Sequence, residues 1–187
     1  MLHWHMQQMR YSGEPGWINE EAGRKRRPNF NGCNPCGEIL LDSHGMCNLT
    51  TVNVMAFVKD GVLDEKGLLE AQALSARAGY RMTCRELEIH RWDEVQNRDR
   101  LLGCSLTGWQ DMVNAVGLDR EGQIQLLKKL RQTAHEAAEK IADRLGGNKP
   151  LLVTTVKPEG TLSLLPTVSS GVHYSHAPYY IRRIRIS

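Results

Sequence analysis

Asn34-Pro35-Cys36-Gly37-Glu38 sets a carboxamide, a thiol and a carboxylate at alternate positions, and Cys47 adds a thiol eleven residues further on. In an extended or looped backbone, side chains at i, i+2 and i+4 emerge on one side. Asn34, Cys36 and Glu38 are therefore expected to face one small ligand. Pro35 and Gly37 carry no polar side chain and suit a tight, constrained loop. The stretch presents a hydrogen-bonding amide, a sulfur and a base in one place.

Other chemistry is open to the same cysteines. Cys33-x2-Cys36-x7-His44-x2-Cys47 is a possible zinc spacing, and Cys33-x-x-Cys36 alone could be a redox dithiol. No strand–helix pattern surrounds the pair, which weakens the dithiol reading. Cys84 and Cys104 read as small core residues. A second candidate site is Glu159-Gly160-Thr161-Leu162-Ser163, after the apolar run Leu151–Val156. Backbone N–H groups there, with the Thr161 and Ser163 hydroxyls, could cradle an anion such as a phosphate. An acid at Glu159 would repel that anion unless turned outward. Ser169-Ser170-Gly171 reads equally as part of that pocket or as a plain turn. His173 and His176 read as locally hydrogen-bonded rather than as a metal pair.

Residues 49–58 (LTTVNVMAFV) are rich in β-branched residues and predict a buried strand. Glu65 to Met82 predicts a helix, and Arg85 to Arg100 a second, highly charged one with a weak inner face. Leu101 to Leu106 predicts a core strand, with Thr107 or Asp111 capping a short helix after it. Gln123 to Leu145 is the clearest helix, with an apolar stripe of Leu127, Leu130, Ala134, Ala137, Ile141 and Leu145 stopped by Gly146-Gly147. Leu151–Val156 and Tyr179–Ile186 predict two further strands. Strands separated by helices imply crossover connections and a mainly parallel sheet. Residues 1–32 read as an irregular lead-in with a short helix near Met6–Arg10, and 33–187 as one domain.

Composition narrows the class. The 187 residues are 41% hydrophobic and 24% charged with a net charge of +3, ordinary for a globular domain and too weakly basic to imply nucleic-acid binding. The one basic run, Gly23-Arg24-Lys25-Arg26-Arg27, reads as a solvated loop. Five cysteines and no secretion signal argue against a disulfide framework. No apolar run reaches the roughly 20 residues needed to span a bilayer, so a cytoplasmic protein without membrane contact is expected.

Taken together, the motifs resemble those of ribonucleotide reductases, most closely the adenosylcobalamin-dependent (class II) ribonucleoside-triphosphate reductases. Ser12-Gly13-Glu14-Pro15-Gly16-Trp17 precedes the Cys36 loop, and Cys47-Asn48-Leu49-Thr50-Thr51-Val52-Asn53 follows it. Gly103-Cys104-Ser105-Leu106-Thr107-Gly108-Trp109, Lys157-Pro158-Glu159-Gly160-Thr161-Leu162-Ser163 and Tyr179-Tyr180-Ile181-Arg182-Arg183-Ile184-Arg185 complete the series in the family's order. The resemblance implies an α/β fold: part of a ten-stranded α/β barrel, namely the second half-barrel with its finger loop, made of mainly parallel strands and crossover helices.

It also implies roles. Cys36 matches the thiyl-radical cysteine, Glu38 the base for the 3′-hydroxyl proton and Asn34 the residue that orients Glu38 and the sugar. Cys47 matches one of two reducing thiols that end as a disulfide, and residues 159–163 match the substrate phosphate-binding turn. The implied substrate is a ribonucleoside tri- or diphosphate, the cofactor adenosylcobalamin, and the reductant a thioredoxin-like protein. By the same comparison the first half-barrel, the allosteric region and the tail cysteines lie outside this chain. A complementary chain or half-barrel is then the implied partner, and the isolated chain is expected to be inactive. The rival expectations are a non-catalytic, partner-dependent piece of a split reductase, and a Cys/His zinc module. Tyr179-Tyr180 is not read as a radical-transfer pair, because its surroundings fit a strand.

Overall fold

The computed structural model describes residues 1–174, 177, 179–181 and 183. Six short strands and six α-helices follow in the order α1 (Leu2–Ser12), α2 (Glu20–Arg26), β1 (Gly32–Cys33), β2 (Leu40–Leu41), β3 (Asn48–Asn53), β4 (Val58–Lys59), β5 (Val62–Leu63), α3 (Glu65–Thr83), α4 (His90–Asp99), β6 (Leu102–Thr107), α5 (Trp109–Val116) and α6 (Arg120–Leu145). Two 3₁₀ turns, Val54–Phe57 and Leu162–Leu164, complete the set.

The centre is a parallel pair. β3 and β6 run side by side from Asn48 opposite Leu102 to Asn53 opposite Thr107. Parallel neighbours need a long crossover, and α3 and α4 supply it. On the other side of β6 lies segment 151–156. Leu102 N–H donates to the Leu152 carbonyl (3.0 Å), Cys104 N–H to Val153 (2.8 Å) and Thr155 N–H to Cys104 (3.0 Å). Only Thr154 forms a strand bridge, again parallel. The predicted Leu151–Val156 strand is thus a loosely paired run held by one neighbour. The molecule is an α/β fold with a parallel sheet, as expected.

All six residues of β6 are buried. Leu68, Leu106, Met112, Leu126 and Leu130 pack at one end of the layer. Ala76, Tyr80, Leu102, Ala134, Ala138 and Ala142 pack at the other. Asp64 and Asp119 begin α3 and α6 by accepting from Gly67 N–H (2.9 Å) and Gly122 N–H (2.7 Å), which satisfies otherwise unpaired first-turn donors.

Several expectations need correction. The predicted strand over 49–58 ends at Asn53, whose side chain accepts from Met55 N–H and opens a 3₁₀ turn. The buried face of α6 is Leu126, Leu130, Ala134, Ala138, Ile141 and Ala142, while Leu127 and Leu145 are 39% and 46% exposed. The small alanines let α6 approach α3 closely, and that packing leaves Leu127 and Leu145 on the outer flank. The helix expected over 85–100 begins only at His90. Gly108, not Thr107 or Asp111, stands at the N-cap of α5. Those two side chains instead bind the later loop: Thr107 Oγ1 accepts from Gly171 N–H (3.2 Å), and Asp111 Oδ2 from Ser169 N–H (2.6 Å).

Within residues 1–32 the short helix expected near Met6–Arg10 is α1, longer than read, and a second helix, α2, was not expected. The basic run is helical, and Arg27 at its end is 1% exposed rather than solvated. Cys104 is buried as expected, but Cys84 is exposed. Tyr179, Tyr180 and Ile181 are not in a strand. The remainder of the predicted Tyr179–Ile186 strand (residues 182 and 184–186) and His176 lie outside the described residues. No helix among the described residues is long and apolar enough to cross a membrane.

Candidate active site

β1 and β2 form a small antiparallel hairpin, Gly32 opposite Leu41 and Cys33 opposite Leu40. The loop between them is a folded turn rather than an extended run. Gly37 N–H closes it on the Asn34 carbonyl (2.9 Å), and Gly37 takes φ +77°, a left-handed value that suits glycine. Asn34 Oδ1 accepts from Ile39 N–H (3.0 Å). That amide oxygen is thus engaged by the loop itself.

Cys36 sits exposed at the turn as a free thiol. Two residues on, Glu38 behaves oppositely. Both its carboxylate oxygens are buried without a hydrogen-bond partner among the described residues, while its carbonyl accepts from Thr155 Oγ1 (2.8 Å). The loop is thereby tied to segment 151–156. A cavity of about 830 Å³ opens beside it, lined by Glu38, Ile39, Cys104, Thr154 and Thr155 among others. A buried, unpaired carboxylate is costly, which marks Glu38 as a waiting acceptor.

Cys47 stands just before β3. Its thiol is pushed up to about 12, chiefly by burial and further by Cys104 and Glu38, while Arg27 pulls the other way. Glu38 is therefore close enough to be felt by Cys47. The two segments meet over Gly103: a Cβ there would lie 3.1 Å from Cys47 Sγ and 3.2 Å from Ile39 Cδ1. Glycine at 103 is what lets hairpin and sheet touch.

The hairpin stem is fixed by charge. Arg27 pairs with Asp99 and donates to the Leu40 carbonyl (2.6 Å). Arg98 bridges Asp99 (2.7 Å) and Asp42 (2.6 Å), and Asp42 accepts from Asn31 Nδ2 (2.7 Å). Arg27, Asp99 and Gly103 were not singled out from sequence as site residues. Nothing local marks an arginine in a basic run or an aspartate in a charged helix as buried partners.

The second predicted site also departs from expectation. Gly160, Thr161 and Leu162 are exposed, and their N–H groups have no acceptor among the described residues. Ser163 is buried, and its hydroxyl is engaged with Ser170 Oγ (3.0 Å). Glu159 does not turn outward. It is 2% exposed, with Oε1 accepting from Thr51 Oγ1 (2.5 Å) and Ser105 Oγ (2.9 Å) and Lys157 Nζ 3.6 Å from Oε2. His173 Nδ1 lies 3.2 Å from the Ser170 carbonyl, a local contact. Among the described residues no three His, Cys, Asp or Glu side chains gather as a metal site requires, so Cys33, Cys36, His44 and Cys47 are not assembled into one.

No family model matches the chain. It is 35% identical over 184 residues to a Mycobacterium phage D29 protein provisionally named an adenosylcobalamin-dependent ribonucleoside-triphosphate reductase, covering 94% of this chain and 27% of that protein. It is 31% identical over 209 residues to the adenosylcobalamin-dependent ribonucleoside-triphosphate reductase of Lacticaseibacillus paracasei, covering 93% and 27%. The chain therefore spans about a quarter of the length of the curated relatives it matches. In structure it superposes on a B12-dependent (class II) ribonucleotide reductase with TM-score 0.79 and 26% identity, over 91% of this chain and 28% of that one. The alpha subunit of the Actinobacillus ureae class Id enzyme, at 19% identity and TM-score 0.66, shares the fold. Along more than nine-tenths of its length, then, this chain is related in sequence and in fold to a section of the class II, adenosylcobalamin-dependent ribonucleotide reductases.

Proposed function

We propose that the chain is the loop-bearing section of an adenosylcobalamin-dependent ribonucleoside-triphosphate reductase, with Cys36 as the radical-bearing sulfur and Glu38 as the base. The observation that carries this reading is the pairing within one turn of an exposed free thiol with a buried carboxylate whose two oxygens lack partners. Hydrogen abstraction needs a sulfur that substrate can reach. Proton removal from a sugar hydroxyl needs an acceptor within hydrogen-bond distance that has no prior donor.

In this scheme the Cys36 sulfur takes the 3′ hydrogen of the ribose and later returns it, while Glu38 accepts the 3′-hydroxyl proton. Asn34, with its oxygen held by Ile39 N–H, has its NH₂ group left to orient the sugar. Cys47, with its proton held well above neutral pH, is the right form to protonate the departing 2′-hydroxyl. Two thiols give up two electrons and become a disulfide as water leaves; the second thiol comes from outside this chain. The Gly160–Leu162 amides and the Thr161 hydroxyl receive the phosphates, with Ser163 shaping the turn. Adenosylcobalamin, when bound, supplies the one-electron oxidation of Cys36. The exposed Cys36 thiol is the group of this chain that fits that chemistry.

β3, β6 and segment 151–156 are read as neighbouring strands of a half-barrel, completed by a complementary half from elsewhere. Leu151 and Val156, at the two ends of segment 151–156, are exposed, which favours partner dependence and, alone, an inactive chain. A thioredoxin-like reductant and a cytoplasmic setting belong to the same reading. The test is to assemble the chain with a complementary half-barrel and measure deoxyribonucleotide formation. Cys36→Ala should abolish turnover while leaving stability within about 0.5 kcal/mol, as for an exposed residue. Turnover surviving that substitution would overturn the assignment.

A further inference from the structure

The carboxylate of Glu159 has no part in the chemistry above, yet it is among the most enclosed charged groups of the molecule. Its Oε1 is gripped by hydroxyls from two strands at once, Thr51 of β3 and Ser105 of β6. These two residues lie directly opposite one another in the parallel ladder. The backbone of Glu159 has φ +55°, a left-handed conformation that an ordinary residue holds only when its surroundings impose it. Its carbonyl accepts from Ser163 N–H (3.1 Å), and the Ser163 carbonyl accepts from Val168 N–H (3.0 Å). One residue therefore ties the sheet, through its side chain, to the whole turn, through its backbone.

We propose that Glu159 is a positioning residue: its buried carboxylate anchors the 159–163 turn to β3 and β6 and so sets where the Gly160, Thr161 and Leu162 amides point. The anchor depends on an acceptor oxygen at the Oε1 position. Oε2 takes no hydrogen bond among the described residues and has only Lys157 near it, 3.6 Å away, so the anchor runs through Oε1. Gln supplies the same oxygen and Ala does not. That the turn receives phosphate rests on the function proposed above; that Glu159 holds the turn does not.

Amide hydrogen exchange on the 187-residue chain separates the two. Glu159→Ala should speed exchange at Ser163 and Val168 by about tenfold or more while α6 amides stay within about twofold; Glu159→Gln should remain within about threefold of the parent. Unchanged exchange in Glu159→Ala, or equal acceleration in both variants, overturns the anchor. Should Glu159→Ala loosen α6 as well, the double variant Thr51→Val/Ser105→Ala decides, because it removes both donors and keeps side-chain shape. Unaltered exchange at Ser163 and Val168 there also overturns it. Inorganic tripolyphosphate is then added. It should slow the Gly160–Leu162 amides in the parent and in Glu159→Gln but not in Glu159→Ala. Equal slowing in Glu159→Ala would overturn the positioning role. Slowing in none would remove the phosphate reading and leave the anchor standing on the first measurement.

Discussion

Two regions of the molecule meet over Gly103 and are made of different materials. β6 and its flanking helices α3 and α6 bury a stack of leucines, alanines and one tyrosine. The hairpin that carries Cys36 has two-residue strands and buries Ile39 against the sheet, but its stem is held by the polar contacts of Arg27, Asp99, Arg98 and Asp42. Apolar burial is strong but non-directional, and it suits a layer whose task is to stay folded. A buried ion pair gives little net stability against a hydrophobic alternative. What it does supply is directional contacts, and a loop that must present a thiol and a carboxylate needs direction more than adhesion. The loop proposed to be reactive thus depends for its placement on a few polar contacts.

Asp99→Ala tests this most severely, because it leaves the Arg27 guanidinium buried without its counter-charge. The expected loss is about 3–5 kcal/mol in urea unfolding. A loss below about 1 kcal/mol would mean that the pair is solvated and the contrast false.

Alkaline pH probes the seam between the regions. The folded Cys47 thiol is raised to about 12 from an ordinary 9.0, so the folded state binds that proton more tightly than the unfolded one. Its contribution is complete below pH 9 and is lost as pH climbs from 9 towards 12. Three units correspond to at most about 4 kcal/mol. Cys47→Ala should flatten that part of the stability–pH curve; an unchanged alkaline limb would show that Cys47 is not enclosed by the hairpin.

In the apolar layer, Leu126→Ala should cost about 3 kcal/mol through the cavity it leaves. Leu127→Ala, on the exposed flank, should cost under about 1 kcal/mol. Equal costs would mean that α6 packs by the other stripe. The smallest effect is expected from deleting residues 1–12. α1 buries none of its residues, so thermal unfolding should shift by less than about 0.5 kcal/mol equivalent.

Much of the layer was legible beforehand. β6, α3 and α6 were readable because their apolar residues repeat over many positions and Gly146 marks the end of α6, although the Asp119 cap that starts α6 at Arg120 rather than Gln123 was not read. The candidate site was legible as residue types: a thiol, a carboxylate and an amide around a constrained turn, and a glycine-containing turn after an apolar run. Arg27 was not legible, because its partner Asp99 is 72 residues away and an arginine in a basic run reads as solvated. The stripe on α6 was misread by one residue at Leu126 and Leu127, since apolar residues stand at both positions and only packing against α3 and the core selects between them. Segment 151–156 has the composition of a strand, yet backbone pairing depends on neighbours, and among the described residues only β6 offers it a strand to pair with.

Glu159 divides the two kinds of information most sharply. By itself the sequence determined which groups are available, where helices α3 and α6 run, and that strands separated by helices, such as β3 and β6, lie parallel, because those follow from side-chain chemistry and short-range periodicity. Tertiary structure alone decided that the Glu159 carboxylate turns inward to Thr51 and Ser105, that the Glu38 oxygens are buried while Cys36 is exposed, and that Arg27 is paired. Each of those outcomes depends on desolvation by segments distant along the chain. Whether a charge stays in water or is buried is a property of its neighbours in space.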